Sequence, residues 1–288
     1  MEQVKRILLA GVVAFFLSAC GGGGSSDTPV SESPLELVTI TEQNADSVIA
    51  SAVGSISGAM DIDDLPVLST TSSVAKSSSM MTQYAKSVAT DLSLDRAVSE
   101  TVACSEGGSI TADGNEVTGG TVTYNECVES GVTIDGTMIL TIDGSDYTVE
   151  FIDLRIQMNE YIAYYERATL EFNENSLDIS MTITGYLTEG SNRVDYKDYS
   201  ASITGDSLSL NGFVKTNCLD AWVEVKTIQP LAMPGSCPIA GEISIAGNSS
   251  EINMVFNADE SVDVTLNGEA YDSYTTCDDL PSLEAGCP

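Results

Sequence analysis

Seven cysteines and no histidine limit the chemistry that the side chains of this sequence could do. Without histidine there is no Ser-His-Asp or Cys-His catalytic set and no histidine-bearing zinc site. Thiolates can still bind a metal ion, but no two cysteines form a Cys-x-x-Cys pair. The cysteines are therefore expected to serve in disulfides or in covalent modification, and no metal site or other cofactor is predicted.

Cys20 differs from the other cysteines because it follows a segment typical of an export signal. Lys5 and Arg6 precede an almost unbroken apolar run over 7–17, which is too short to span a bilayer as a helix. The motif Leu-Ser-Ala-Cys at 17–20 resembles the lipobox of bacterial lipoproteins. We expect residues 1–19 to be a signal peptide and Cys20 to be lipidated. The alternative is an ordinary secretory signal with an incidental cysteine.

This resemblance implies a membrane anchor and a location. Three acyl chains, at about 0.8 kcal/mol for each buried methylene, would hold the protein at the membrane permanently. In such lipoproteins an Asp after the cysteine often marks the inner membrane, whereas here Gly21 follows, which favours the outer membrane. The Gly- and Ser-rich tract resembles the tethers of surface-displayed lipoproteins. We therefore expect 20–34 to be a lipidated, flexible tether at the outer membrane, and exposure of the folded part at the cell surface is the further hypothesis.

Six cysteines remain once Cys20 is assigned to lipid, and in an exported chain an even number indicates three disulfides. Six thiols allow 15 pairings, and the sequence alone cannot select one. Their order suggests local pairs, each contributing about 3 kcal/mol. These pairs are Cys104 with Cys127, Cys218 with Cys237, and Cys277 with Cys287.

The chain is strongly acidic, with a net charge of −32. Removing residues 1–19 leaves 42 acidic and 9 basic residues, so the mature chain has a net charge near −33. Such a charge repels nucleic acid and anionic headgroups, and no nucleic-acid partner is expected. Solubility in salty water is one explanation for the acidity, and a cationic ligand is the other.

Carboxylates are the remaining candidates for catalysis, because glycosidases need only two acids about 5 to 10 Å apart. With 43 acidic residues, some pair meets that spacing by chance, and the chain has a single tryptophan, Trp222, for stacking sugars. We therefore predict no catalytic residues. Asp61, Asp63 and Asp64 raise the possibility of calcium, but they do not follow the spacing of a calcium loop, and an exposed acidic turn is the simpler interpretation.

Six tyrosines fall on what should be three consecutive strands. If two of these strands pair across a turn at 188–193, some rings would stack on a common face. Aromatic faces with polar tips suit glycan or protein contacts, although aromatic residues also favour strands through packing alone. The candidate binding surface comprises Tyr161, Tyr164, Tyr165, Tyr186, Tyr196 and Tyr199.

Two helices are predicted before the strands, in a segment over 35–98. Apolar residues recur at intervals of three and four from Ala45 to Ile56, with Thr41 as the N-cap and a stop at Gly58 and 61–66. A second, Ser-rich helix is predicted over 73–90. We expect this helical segment to pack on the β domain.

After about residue 98, strand signals recur every ten to fourteen residues, and they define a β domain over 99–288. Alternation is clearest at 132–142 and 177–184, while 252–256 and 262–266 flank a turn at 257–260. One apolar and one polar face per strand is typical of antiparallel sheets. The predicted class is α+β, mainly β, with two helices followed by a large curved antiparallel sheet of roughly a dozen strands, arranged as a meander, partial barrel or sandwich.

The order of these parts resembles a group of uncharacterised proteobacterial lipoproteins with a lipobox, a Gly-rich tether, a helical pair and a disulfide-bearing β domain. The residues that carry the resemblance are 104–108 (Cys-Ser-Glu-Gly-Gly), 119–127 (Gly-Gly-Thr-Val-Thr-Tyr-Asn-Glu-Cys) and 134–137 (Ile-Asp-Gly-Thr). It implies no activity, but it supports the pairing of Cys104 with Cys127.

Three functions follow as hypotheses. The first is a non-enzymatic surface lipoprotein that binds a protein, glycan or lipid or has a structural role. The second is a periplasm-facing carrier or envelope-assembly factor with an apolar groove for an acyl chain, lined by residues such as Met138, Met181 and Met254. The third is a carbohydrate-active enzyme that uses two carboxylates.

Overall fold

The computed structural model describes residues 35–60, 98–115, 117–129, 131–176, 178–233, 237–283 and 287. The predicted signal peptide at 1–19, the tether at 20–34, the acidic turn at 61–64 and the second helix at 73–90 lie outside these residues. The described part contains one α-helix, α1 (Ala45–Met60), so the two-helix prediction is confirmed only for its first member.

Within the described residues, fourteen strands follow the helix, and a short 3-10 turn at Cys277–Asp279 comes after the last of them. The strands are β1 (Val98–Ala103), β2 (Gly107–Asn115), β3 (Gly119–Glu129), β4 (Val132–Asp143), β5 (Asp146–Met158), β6 (Tyr161–Asn173), β7 (Ile179–Glu189), β8 (Asn192–Thr204), β9 (Ser207–Thr216), β10 (Val223–Ala232), β11 (Ala240–Gly247), β12 (Ser250–Phe256), β13 (Val262–Leu266) and β14 (Glu269–Tyr274).

These strands form one antiparallel sheet in which each strand pairs with the next one along the chain, and β1 and β14 are its edges. The mainly-β, antiparallel prediction is thereby confirmed, and the arrangement is a meander. The clearest alternating segments became β4 and β7, and the hairpin around 257–260 became β12 and β13. Short turns suffice for these connections because antiparallel neighbours need no crossover.

A series of β-bulges interrupts the central strands. On β8 and β9, Asp198 has a positive φ of 48° and lies beside Gly212, where a Cβ atom would collide with the backbone of Asp198 and Tyr199. The extra amide of Asp198 donates a hydrogen bond to Thr184 Oγ1 over 3.2 Å. Bulges and glycines of this kind bend strands and increase their twist. The bulges therefore fit the predicted curvature of the sheet.

Over residues 45–55, helix α1 is buried on nearly every side, and it packs against β8, β9 and β11. Its buried residues include Val48 and Ile49 together with Ser51, whose hydroxyl lies 2.8 Å from that of Thr216. Helix α1 is therefore held by contacts with these strands. A helix enclosed in this way takes its stability mainly from tertiary contacts, because its 16 residues would be marginal alone.

The predicted helix start at Thr41 is wrong, because α1 begins at Ala45. The Asn44 side chain accepts a hydrogen bond from the Thr41 amide over 2.8 Å and donates one to the carbonyl of Thr39 over 3.0 Å. These bonds stabilise a turn over 41–44 instead of a first helical turn, as Asn side chains often do.

All six expected cysteines are in disulfides, but only one of the three predicted pairs is correct. Cys104 pairs with Cys127, as predicted. The pairs Cys218–Cys237 and Cys277–Cys287 are wrong, because the bonds join Cys218 to Cys287 and Cys237 to Cys277.

The sheet register explains these pairs. Gly241, Phe256, Val262 and Tyr274 lie side by side, so the chain before β11 and the chain after β14 meet at one end of the sheet. From there the C-terminal segment passes α1, where Leu283 contacts Gly54. It then reaches Cys218, which follows β9.

Candidate functional site

The structure divides the six candidate tyrosines between the two faces of the sheet. Tyr164 and Tyr186 are partly exposed on the outward face, whereas Tyr165, Tyr196 and Tyr199 are buried on the face that packs against α1. The sixth, Tyr161, packs against the same core. The predicted stacking across the turn at 188–193 is wrong, because Tyr186 faces outward whereas Tyr196 and Tyr199 face inward; Tyr186 instead packs against Tyr164 on β6. The six do not form one surface, because strand neighbours point to opposite faces.

Tyr164 and Tyr186 lie directly opposite each other on β6 and β7. Their ring centroids are 5.3 Å apart and the ring planes are inclined by 39°. The Arg193 guanidinium lies over the face of Tyr186, with its carbon 3.9 Å from the ring centroid. Asp153 accepts a hydrogen bond from the Tyr164 hydroxyl over 3.1 Å. We call Tyr164, Tyr186, Arg193, Asp195 and Asp153 the Tyr–Arg cluster.

Asp195 fixes the position of the arginine. Arg193 donates to Asp195 through Nε over 3.0 Å and through Nη2 over 2.6 Å. The two residues are two positions apart on β8 and therefore share a face. A tight turn at 190–191 joins β7 to β8 and sets Asp195 opposite Tyr186. The local sequence from Tyr186 to Asp195 is thus sufficient to build most of the cluster.

The guanidinium of the cluster is paired with one carboxyl group, and the other carboxyl group accepts a hydrogen bond from a phenol. The hydrogen bond with Asp195 raises the pKa of Arg193, although partial burial opposes this. Partial burial and the hydrogen bond to Asp153 raise the pKa of Tyr164. The cluster therefore presents two phenol rings, a guanidinium fixed by Asp195, and the carboxyl groups of Asp153 and Asp195. These are planar donors and acceptors beside aromatic faces.

All six lysines and arginines of the described residues lie on strands β5–β10. Around the cluster, Arg155 lies opposite Tyr164, and Lys215 lies opposite Asp195. The remaining members of this group are Arg167, Arg193, Lys197 and Lys226. The cluster therefore lies in the part of the sheet that carries all the lysines and arginines of the described residues.

On the inward face, the buried tyrosines pack with one another and with α1. The rings of Tyr196 and Tyr199 are 5.2 Å apart, and the Tyr199 hydroxyl lies 3.2 Å from that of Ser55. Among the described residues, the Tyr196 hydroxyl is buried without a hydrogen-bond partner. Burial raises the pKa of both tyrosines. These rings belong to the core and cannot contact a ligand at the surface.

A concave feature lies away from the cluster, at the opposite end of β5–β8. A cavity of about 380 Å³ is lined by Asp146, Glu171 and Asp178, with Tyr147, Phe172 and Ser202 among its other residues. Tyr147 and Phe172 also belong to a small separate apolar cluster. Among the residues that the structure describes, no group of three His, Cys, Asp or Glu side chains is placed to hold a metal ion.

Sequence reasoning missed Arg193, Asp195 and Asp153. A usable signal existed for the first two, because an Arg-x-Asp pair begins two residues after the Gly190–Ser191 turn and so faces the same side as Tyr186. Asp153 could not have been found in this way. It lies at a β-bulge with a φ of 49°, and the sequence does not show where such bulges occur.

The three methionines named for the carrier hypothesis all lie in or against the main core of the protein. Met138 and Met254 are buried in the main core, and Met181 is partly buried against it. The carrier hypothesis itself stays a prediction.

No helix within the described ranges has the length and apolar character needed to cross a membrane. No family model, no curated protein and no solved structure matches the chain.

Proposed function

We propose that this protein is a lipid-anchored, non-enzymatic binding module of the bacterial envelope, held at the outer membrane with its β domain displayed at the cell surface. The single observation that carries the binding role is the Tyr–Arg cluster. Two partly exposed rings, a guanidinium and two carboxylates are held in place by contacts with one another. A binding site prearranged in this way loses little conformational entropy when a ligand is bound.

The envelope location rests on different evidence. The Leu-Ser-Ala-Cys motif at 17–20 and Gly21 support lipidation and delivery to the outer membrane. Three disulfides fit an oxidising compartment, because disulfides are rare where thiols are kept reduced. The flexible tether predicted over 20–34 would let the β domain extend away from the lipid surface.

Metabolic labelling with a palmitate analogue tests the anchor. The parent should incorporate label and fractionate with the outer membrane, whereas Cys20→Ser should be unlabelled and should leave the membrane fraction. Ser26→Ala, a change in the same tract that spares the thiol, is the matched control and should behave like the parent. An unlabelled parent, or a Cys20→Ser protein that localises normally, would refute the anchor.

Surface display needs a separate test. Added protease should digest the β domain in intact cells, while a periplasmic marker protein survives. If the β domain is digested only after the outer membrane is ruptured, the protein faces the periplasm and the surface part of the proposal is wrong.

A further inference from the structure

We infer that the Tyr–Arg cluster is a binding site for a neutral polysaccharide, which lies across strands β5–β9 and stacks on Tyr164 and Tyr186. This inference rests on the proposed function, and it names the ligand class of that site. Three observations support it: the geometry of the two rings, the ion pair of Arg193 with Asp195, and the row of residues that continues on either side of the cluster.

The row itself is defined by the strand register. Arg155, Tyr164, Tyr186, Asp195 and Lys215 are directly opposite one another on five consecutive strands. Neighbouring strands are about 4.8 Å apart, so the row extends over about 19 Å. A row of this length can accommodate several sugar units of a linear polymer. A single small molecule would use only part of it.

The chemistry of the cluster matches that of sugar rings. The apolar C–H faces of a pyranose can pack on exposed aromatic rings, and the tyrosine pair provides two such rings. The remaining N–H groups of Arg193 and the carboxyl oxygens of Asp153 and Asp195 can form hydrogen bonds with neighbouring hydroxyl groups of a sugar. Arg193 has 46% of its side chain exposed, so it remains accessible although it is bonded to Asp195.

Charge favours a neutral polymer over an acidic one. The guanidinium is already paired with Asp195, and Asp153 already accepts the Tyr164 hydroxyl. The chain as a whole carries a net charge of −32, which repels a polyanion at low salt. A neutral polymer needs no unpaired positive group on the protein, and the negative charge of the chain does not repel it.

A protein partner fits this surface less well. Protein interfaces usually have an apolar centre from which charged groups are depleted. In the described part of the chain, the large apolar residues with the greatest exposure are Val102, Val117, Ile228 and Val255, and none of them is on β6, β7 or β8. The centre of the proposed site instead contains the Arg193–Asp195 ion pair and the hydrogen bond from Tyr164 to Asp153.

The test uses the full-length lipidated protein in detergent micelles. Starch, laminarin, mannan and xylan are the neutral probes, alginate is the acidic probe, and binding is measured at low and high salt. We expect binding to at least one neutral polymer, with an affinity that changes less than about twofold with salt, since no counterions are released. Binding to no neutral polymer would overturn the inference, as would binding confined to alginate that is lost at high salt.

Paired variants show whether the cluster is responsible. Tyr186→Ala should weaken binding about tenfold, whereas Tyr186→Phe should bind within about twofold of the parent because it keeps the ring. Arg193→Lys keeps the charge but loses the planar fork, and it should also weaken binding about tenfold. Arg167→Lys, an exposed strand arginine outside the cluster, is the matched control. Unchanged binding by both Tyr186→Ala and Arg193→Lys would refute the site.

The outcome separates this inference from the proposed function. A chain that is labelled with palmitate and displayed at the surface but binds no neutral polymer refutes the ligand class and leaves the anchor intact; a protein partner would then become the better candidate. A chain that binds polysaccharide but carries no lipid refutes the anchor alone. Thermal unfolding of each variant shows whether a loss of binding reflects a loss of fold, and Arg193→Lys still tests the site if Tyr186→Ala does not fold.

Discussion

Tyr164 and Tyr165 are neighbours in the chain but belong to physically different regions. The ring of Tyr164 lies on the outward face and packs against Tyr186, and its hydroxyl donates a hydrogen bond to Asp153. The ring of Tyr165 is buried on the inward face and stacks on Phe151 at 5.6 Å. The same residue type therefore supports a surface site on one face and the core on the other. The strand position decides which.

The two faces of the sheet also differ in the contacts that stabilise them. On the inward face, α1 packs against β8, β9 and β11, and the C-terminal segment contacts that helix and is fixed by two disulfides. The outward face of β6–β8 is held by cross-strand pairs of aromatic and charged residues, which contribute less energy than core burial. Substitutions on the inward face should therefore mainly change stability, and those on the outward face should mainly change binding.

The largest difference is expected between Tyr199→Ala and Tyr186→Ala. Tyr199 is fully buried, so removing its ring should leave a cavity and lower the free energy of unfolding by about 3 to 5 kcal/mol. Tyr186→Ala should lower it by less than about 1 kcal/mol, because its ring is only partly covered. Denaturant unfolding of both variants measures the difference. Equal losses would mean that the two faces are not energetically distinct.

The C-terminal disulfides provide the next largest effect. Replacing Cys218 and Cys287 together by serine removes a link across 69 residues, which should lower the free energy of unfolding by about 4 kcal/mol. The matched variant without Cys104 and Cys127 opens a link across 23 residues and should lose about 3 kcal/mol. Denaturant titration under non-reducing conditions checks this order. Any polysaccharide binding should persist wherever the protein remains folded.

Tyr196→Phe should stabilise the protein. Its hydroxyl is buried without a partner among the described residues, so removing it should raise the free energy of unfolding by about 1 kcal/mol at neutral pH. Burial raises the pKa of Tyr196 well above its value of about 10 in an unfolded chain.

The same shift makes the effect of Tyr196→Phe depend on pH. Below about pH 10, Tyr196 is neutral in both the folded and the unfolded parent, so the raised pKa costs no stability. As the pH rises from there towards the folded-state pKa, the unfolded chain ionises first and the free energy of unfolding of the parent falls. The parent should therefore lose stability in alkali more steeply than Tyr196→Phe, which urea titrations at several pH values would measure. A destabilised variant at neutral pH would indicate that the hydroxyl has a partner.

The smallest effect is expected for Tyr164→Phe. This change removes only a partly exposed hydrogen bond to Asp153, so the free energy of unfolding should change by less than about 0.5 kcal/mol. Thermal unfolding beside Tyr196→Phe makes a matched comparison of one hydroxyl on each face. A loss of 2 kcal/mol or more would show that the outward cluster also stabilises the fold.

Much of the fold could be predicted, because alternation in β4, β7, β12 and β13 reflects a strict geometric rule. Which tyrosines share a face of the sheet was predictable only in part. Tyr196 and Tyr199 are three positions apart and would face opposite sides of a regular strand. The bulge at Asp198 adds one residue between them and turns both rings inward.

The sequence alone determined the kinds of chemistry that are open to this protein. The lack of histidine, the six paired cysteines, the net charge of −32 and the period of two along the strands are properties of composition and local order. The tertiary structure decided which cysteines pair after β9 and which tyrosines meet Arg193. Both depend on sheet register and on bulges, through which residues far apart in the chain, or on opposite sides of a turn, come within contact distance.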